Sequence, residues 1–215
     1  EVALKTNEKG FIRGLIDYQP PTKYRWACWR TLVRKEFYLS QKNYQRLVKS
    51  KNEAVSEIVK KDVPRTAPYN IFLTLNEQGV DVGREMLFNL CKAVGTYFQD
   101  IGYCQGNNFM NAFLLQISGG NEIESLNLVV SMMTDPRFLL SGLFDKDFPL
   151  TNFLNYLFHE KLKIVDKKLE ESLASLPDDI WLTKWYLSVF TGYLPKYCIV
   201  RAWDFILSND KAFGK

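Results

Sequence analysis

The sequence predicts an all-α protein. Three observations carry that prediction: apolar residues recur at spacings of three and four, strand alternation is nearly absent, and no Asn-Gly or Asp-Gly pair joins two β-branched runs. The 215-residue chain is 47% hydrophobic and 24% charged, which excludes disorder and suits one domain with a real core.

The helices follow in order along the chain. A helix through Glu57–Lys61 is expected to stop before Pro64, because the ring pushes Val63 away from the α region. From Arg84 to Gln99, Met86, Leu87, Leu90, Val94 and Phe98 form one apolar stripe. Asp81 is placed to cap its first turn and Gly102 to end it. Phe109–Ile117 reads as the next helix, and Ile123–Met133 follows with Asn121 and Glu124 spaced as a capping box. Phe153–Leu162, Val165–Leu173, Trp181–Phe190 and Tyr197–Leu207 repeat the pattern, with Ser, Asp, Pro149, Pro177 and Pro195 between them. Gly119-Gly120 and Asp135-Pro136 punctuate the stretch from Ser118 to Asp147, where a division into two lobes is expected.

Composition removes several function classes. A net charge of +4, spread along the chain, is a weak footprint for nucleic acid. The longest apolar runs, such as Phe109–Ile117, fall far short of the ~20 residues a membrane helix needs. Glu1–Phe11 is polar and carries no cleavable signal pattern. Cys28, Cys91, Cys104 and Cys198 lie far apart without CxxC spacing, and His159 is the single histidine, so no zinc constellation exists. Reduced, buried thiols are expected. A nucleophilic Cys104 would need a base, and His159 is remote in sequence with no companion motif. Trp26, Trp29, Trp181, Trp185 and Trp203 read as core aromatics, and the lysines at 161, 163, 167 and 168, interleaved with acids, as a solvated helix face.

Two loops interrupt the helices with polar chemistry. In Asp62-Val63-Pro64-Arg65-Thr66-Ala67-Pro68, Arg65 sits between two prolines, three residues after an aspartate able to hold its guanidinium. In Gly102-Tyr103-Cys104-Gln105-Gly106-Asn107-Asn108, glycines bracket Gln105 just ahead of a helix N-terminus.

These segments carry a resemblance. Val59-Lys60-Lys61-Asp62-Val63-Pro64-Arg65 resembles the IxxDxxR signature of TBC domains, the GTPase-activating modules for Rab small GTPases. Tyr103-Cys104-Gln105-Gly106 resembles the family's YxQ signature, Arg25 to Trp29 its RxxxW opening, and Trp185 with Trp203-Asp204 its later region. Four motifs in order, from about Gln19 onward, are far more specific than one. Two positions depart from the family pattern: Ala67 stands where an aromatic is frequent, and Asn107 where an apolar residue is usual.

The resemblance implies a two-lobed multi-helix TBC domain over residues 1–215. An N-terminal lobe of about 1–120 would carry both loops, followed by a helical lobe of about 121–215 whose C-terminal end is cut short. It implies a GTPase activator, not an enzyme in its own right, that acts on a Rab-type GTPase in trans. Arg65 would be the arginine finger and Gln105 the glutamine finger, supported by Asp62, Tyr103 and Gly106, with Arg25 and Trp29 tying the first helix to the finger loops. No cofactor or metal is implied, since GTP and Mg²⁺ belong to the GTPase and the chain has no GxxxxGK[ST] loop of its own. A cytoplasmic setting with recruitment to trafficking membranes, at most peripheral, and no nucleic-acid partner complete the expectation. The rival class is a Rab-binding scaffold without catalysis, and a helical enzyme with its own small-molecule site ranks last.

Overall fold

A computed structural model describes residues 12, 14–33, 35–66 and 81–208, and the ordered elements among them are helices. We number the α-helices α1 Thr22–Leu32, α2 Gln41–Val48, α3 Glu53–Asp62, α4 Val82–Tyr97, α5 Asn107–Ser118, α6 Glu122–Thr134, α7 Pro149–Val165, α8 Lys167–Leu173, α9 Leu182–Leu187 and α10 Lys196–Ser208. Ala67 and Pro68 lie outside the described residues.

Caps behave largely as the spacing predicts. Asp81 accepts the Arg84 N–H at 3.0 Å and Asn121 the Glu124 N–H at 3.1 Å. The capping box at α6 is only half formed, however. Asn121 N–H donates to Ser118 Oγ, while the Glu124 carboxylate turns away to accept from Trp26 Nε1 at 2.7 Å and to pair with Arg30. α2, which no sequence pattern announced, is capped by Ser40 and buries Tyr44.

Three expected boundaries move. Val63 is α-helical (φ −55°, ψ −47°), so α3 runs on into a 3₁₀ turn at Val63–Arg65. Pro64 is tolerated in the first positions of that turn, where its fixed φ suits the helical backbone. Val165–Leu173 is not one helix: α7 reaches Val165, Asp166 breaks it at φ −153°, and the Asp166 carboxylate caps α8 by accepting the Leu169 N–H. Trp181–Phe190 ends early as well, because Val189 and Phe190 adopt left-handed backbone at φ 47° and 65°. That strained turn, ~1–2 kcal/mol for each residue, buries Val189 and presents its carbonyl to the Trp203 indole at 3.1 Å.

One apolar core runs through the molecule. α4 lies against α2, α3, α5 and α6, while α7 packs with α8 and α9. The Leu140–Leu143 turn packs against both α6 and α7. α1 buries Arg25, Cys28, Trp29 and Leu32, a stripe at helical spacing, and α10 crosses it with Trp203 stacked on Trp29 at 5.7 Å. Trp29, Trp203 and Phe113 form an aromatic cluster that closes the centre.

Candidate functional site

The Arg65 loop is built by the periodicity of α3. Val55, Val59 and Asp62 fall on one buried stripe, so the fold carries a carboxylate into the interior at the helix's end. Its charge is met on both oxygens. Arg65 donates to Asp62 Oδ1 through Nε at 2.9 Å and through Nη2, and Tyr103 donates its hydroxyl to Oδ2 at 2.9 Å. The Arg65 side chain itself is 58% exposed over a partner only 2% exposed. Its guanidinium is thus anchored along one edge from below and open to solvent above.

Gln105 sits on the second loop, exposed, between a buried Tyr103 and a buried Gly106. Gly102 ends the preceding turn at φ +69° with its N–H on the Phe98 carbonyl at 2.7 Å. Gly106 takes φ +115° and lies so close to α9 that an added Cβ would meet the Leu187 carbonyl oxygen at 2.7 Å. Both demands fix this position as glycine.

The two loops face one cleft of about 840 Å³ lined by Arg65 and Gln105, with Asn152, Asp178 and Lys184 on the side of the later helices. Beneath it runs a chain of hydrogen bonds. Gly106 N–H donates to Asn108 Oδ1 at 2.9 Å, Asn108 Nδ2 donates to Thr66 Oγ1 at 2.8 Å, and the Thr66 hydroxyl donates to the Asp62 carbonyl at 2.7 Å. Thr66 and Asn108 are fully buried and were missed in the sequence. Their only signal was adjacency, Thr66 next to Arg65 and Asn108 two residues past Gly106.

Burial favours the neutral forms of Tyr103 and Cys104. Burial pushes the Tyr103 hydroxyl well above its ordinary value, with the neighbouring Cys91 and Asp62 adding to the shift, so it remains a donor. Burial, helped by the Asp62 charge, raises the Cys104 thiol to about 11. A thiol held that high is a poor nucleophile at neutral pH. No group of three or more His, Cys, Asp or Glu is placed to hold a metal among the described residues. His159 bonds through Nε2 to Asp178 at 2.9 Å.

Asp62, Tyr103, Gly106, Arg65 and Gln105 therefore come together. Arg25 and Trp29 do not join them. Both are bound to Asp204 on α10: Arg25 through Nη1, and Trp29 through Nε1 at 2.9 Å, while Arg201 shares the same carboxylate at 2.9 Å. These two residues brace α1 against α10 because their face of α1 points at the centre of the molecule, where a buried Arg requires a buried acid. Asn107, the residue departing from the resemblance, is buried with its Oδ1 unpartnered.

Chemically, the cleft offers a permanently protonated fork of donors and an amide with one donor face and one acceptor face. That pair can stabilise charge on an anion and orient a water presented by another molecule.

Comparison with known proteins gives a consistent result. The sequence model described as "Rab-GTPase-TBC domain" matches residues 22–214. Among curated proteins, the chain is 24% identical over 203 residues to the human "Ecotropic viral integration site 5 protein homolog", covering 92% of this chain and 24% of that protein. It is 25% identical over 208 residues to the Caenorhabditis elegans "Rab GTPase-activating protein eat-17", covering 94% of this chain and 22% of that protein. The chain thus spans about a quarter of the length of these relatives. Among solved structures, the Chlamydomonas flagellar RabGAP TBC domain superposes with a TM-score of 0.70 at 19% identity, covering 95% of this chain and 66% of that one.

Proposed function

The chain belongs to the Rab-GTPase-TBC domain family, and from that premise we propose that it accelerates GTP hydrolysis by a Rab-type GTPase in trans. Arg65 acts as the arginine finger and Gln105 as the glutamine finger. The observation that carries this reading is the contrast between the two side chains and their bases: both are exposed at one cleft, and both rise from a buried hydrogen-bonded floor.

A small GTPase hydrolyses GTP slowly because charge building on the phosphates and the attacking water are poorly managed. An arginine supplied in trans is worth ~10³–10⁵ in rate, or roughly 4–7 kcal/mol of barrier. Asp62 holds the Arg65 guanidinium by its Nε edge, so part of the side-chain entropy of insertion is already lost before the partner arrives. The Gln105 amide oxygen accepts a hydrogen bond from the attacking water and its NH₂ donates to that water or to the nucleotide, the role a GTPase's own glutamine otherwise plays. Tyr103 and Gly106 shape the loop that presents it. GTP and Mg²⁺ are held by the GTPase, so the chain takes no cofactor of its own. The setting is cytoplasmic, at the surface of membranes where such GTPases are anchored; among the described residues no helix is long and apolar enough to cross a membrane.

The test is single-turnover GTP hydrolysis on a Rab panel, with Arg65→Ala and Gln105→Ala beside the wild type and folding checked by circular dichroism. Acceleration by the wild type, with ~10³-fold or more lost in Arg65→Ala, is the expected result. A folded wild type that binds a Rab but leaves its hydrolysis unchanged would establish the non-catalytic scaffold instead. The unpartnered Asn107 beside the Gln105 loop is the feature that keeps that second reading in view.

A further inference from the structure

We propose that Asn108 is a positioning residue that locks the Arg65 and Gln105 loops into one unit, through its amide bridge from the Gly106 N–H to the Thr66 hydroxyl. The inference rests on the reading that Arg65 and Gln105 act together on one partner.

The bridge joins the two residues that directly follow the fingers, Thr66 after Arg65 and Gly106 after Gln105. Asn108 is only 1% exposed and Thr66 is wholly buried, so no water competes for these bonds. Donor and acceptor roles are fixed by the surroundings. The Thr66 hydroxyl proton is committed to the Asp62 carbonyl at 2.7 Å, so its oxygen accepts and Asn108 supplies the N–H. Gly106 supplies an N–H, so the other end of the amide must be its oxygen. Asparagine alone offers both at this reach. Aspartate would keep the bond to Gly106 but set a carboxylate oxygen against the lone pairs of Thr66, and alanine loses both ends. Asp62 closes the unit: its carbonyl holds Thr66 while its carboxylate holds Arg65 and Tyr103, itself two residues before Gln105. A displacement of either loop is therefore felt by the other, and neither finger can enter a nucleotide site out of register with its companion.

Two measurements on the 215-residue chain test this. The first is amide hydrogen exchange at Gly106 in wild type, Asn108→Ala, Thr66→Val and Thr66→Ser. Thr66→Val removes the hydroxyl at nearly constant shape and changes no residue of the Gln105 loop. Exchange about tenfold faster or more in both Asn108→Ala and Thr66→Val, with Thr66→Ser restoring protection, is expected. Unchanged Gly106 exchange in Thr66→Val would overturn the coupling. The second is the single-turnover rate at saturating chain. Asn108→Ala should lower the maximal rate by ~10–100-fold while the half-saturating concentration moves less than about threefold. On a Gln105→Ala background, Asn108→Ala should cost clearly less than it does in the wild type, since the part of its effect that passes through Gln105 is already removed. Losses that multiply instead would show that Asn108 does not act through Gln105, and would overturn the proposal. A wild type that accelerates no GTPase would defeat the functional reading, leaving the exchange comparison to decide whether the loops are coupled.

Discussion

Gly106 and Gly102 flank the Gln105 loop and offer a matched pair of perturbations. At Gly102 (φ +69°) an added methyl meets nothing within 4 Å, so Gly102→Ala incurs only the left-handed backbone strain, ~1–2 kcal/mol. At Gly106 the backbone lies at φ +115°, outside the left-handed well, and the methyl lands 2.7 Å from the Leu187 carbonyl oxygen. That is about 0.7 Å short of ordinary contact at 3.4 Å, and the obstacle is backbone, which cannot rotate aside. Gly106→Ala must therefore separate the Gln105 loop from α9 by most of an ångström. Misplacement on this scale is worth on the order of 10–100-fold in rate where geometry governs catalysis. The assay is single-turnover GTP hydrolysis with a responsive Rab, run beside thermal unfolding for both variants. Gly102→Ala should melt lower yet keep its maximal rate within a few-fold, whereas Gly106→Ala should lose it while remaining folded. Equal activity in the two variants would refute the claim that α9 sets the position of Gln105.

Other outcomes follow from the same structure. Asp204→Ala should cost ~3–5 kcal/mol in urea unfolding, because it strands the buried Arg25 and the Trp29 indole; a loss under ~1 kcal/mol would show that water reaches Arg25. Asn107→Leu should raise stability by ~1–2 kcal/mol, since it removes a buried oxygen with no partner; an unchanged unfolding midpoint would argue against it. Burial raises the Cys91 thiol to about 12. Between the unfolded thiol's value near 8.5 and that point, the unfolded chain releases a proton the folded chain keeps. Stability from this group is therefore complete at neutral pH and falls on the alkaline side by ~1.4 kcal/mol per pH unit. Unfolding midpoints from pH 8 to 11, wild type against Cys91→Ala, measure it through the difference in slope.

The sequence was most informative where structure is local. The stripe of α4 and the caps at Asp81 and Asn121 needed only neighbours within a few residues, and they appear as expected. The Asp62–Arg65 pair was legible for the same reason. What escaped was set by distant contacts. Arg25 and Trp29 find their acceptor 179 and 175 residues away, and no periodicity encodes which acid answers a buried arginine. Val189 and Phe190 look helical by pattern, yet burial of Val189 and the Trp203 indole favour a left-handed turn that propensity alone forbids. Asn108 drew no reading of its own from the sequence, because its partner is Thr66, 42 residues earlier. The resemblance pointed to Arg65 and Gln105; the hydrogen-bonded floor beneath them had to be seen.

The Arg25–Asp204 contact also dictates an order of events at the ribosome. The two partners are 179 residues apart, so at ~5–20 residues per second Arg25 leaves the tunnel some 9–36 s before its counter-charge does. During that interval Arg25 and the Trp29 indole lack the acid that answers them. Synthesis stalled short of Asp204 therefore leaves this face of α1 without its acceptor, whatever has already formed around the cleft.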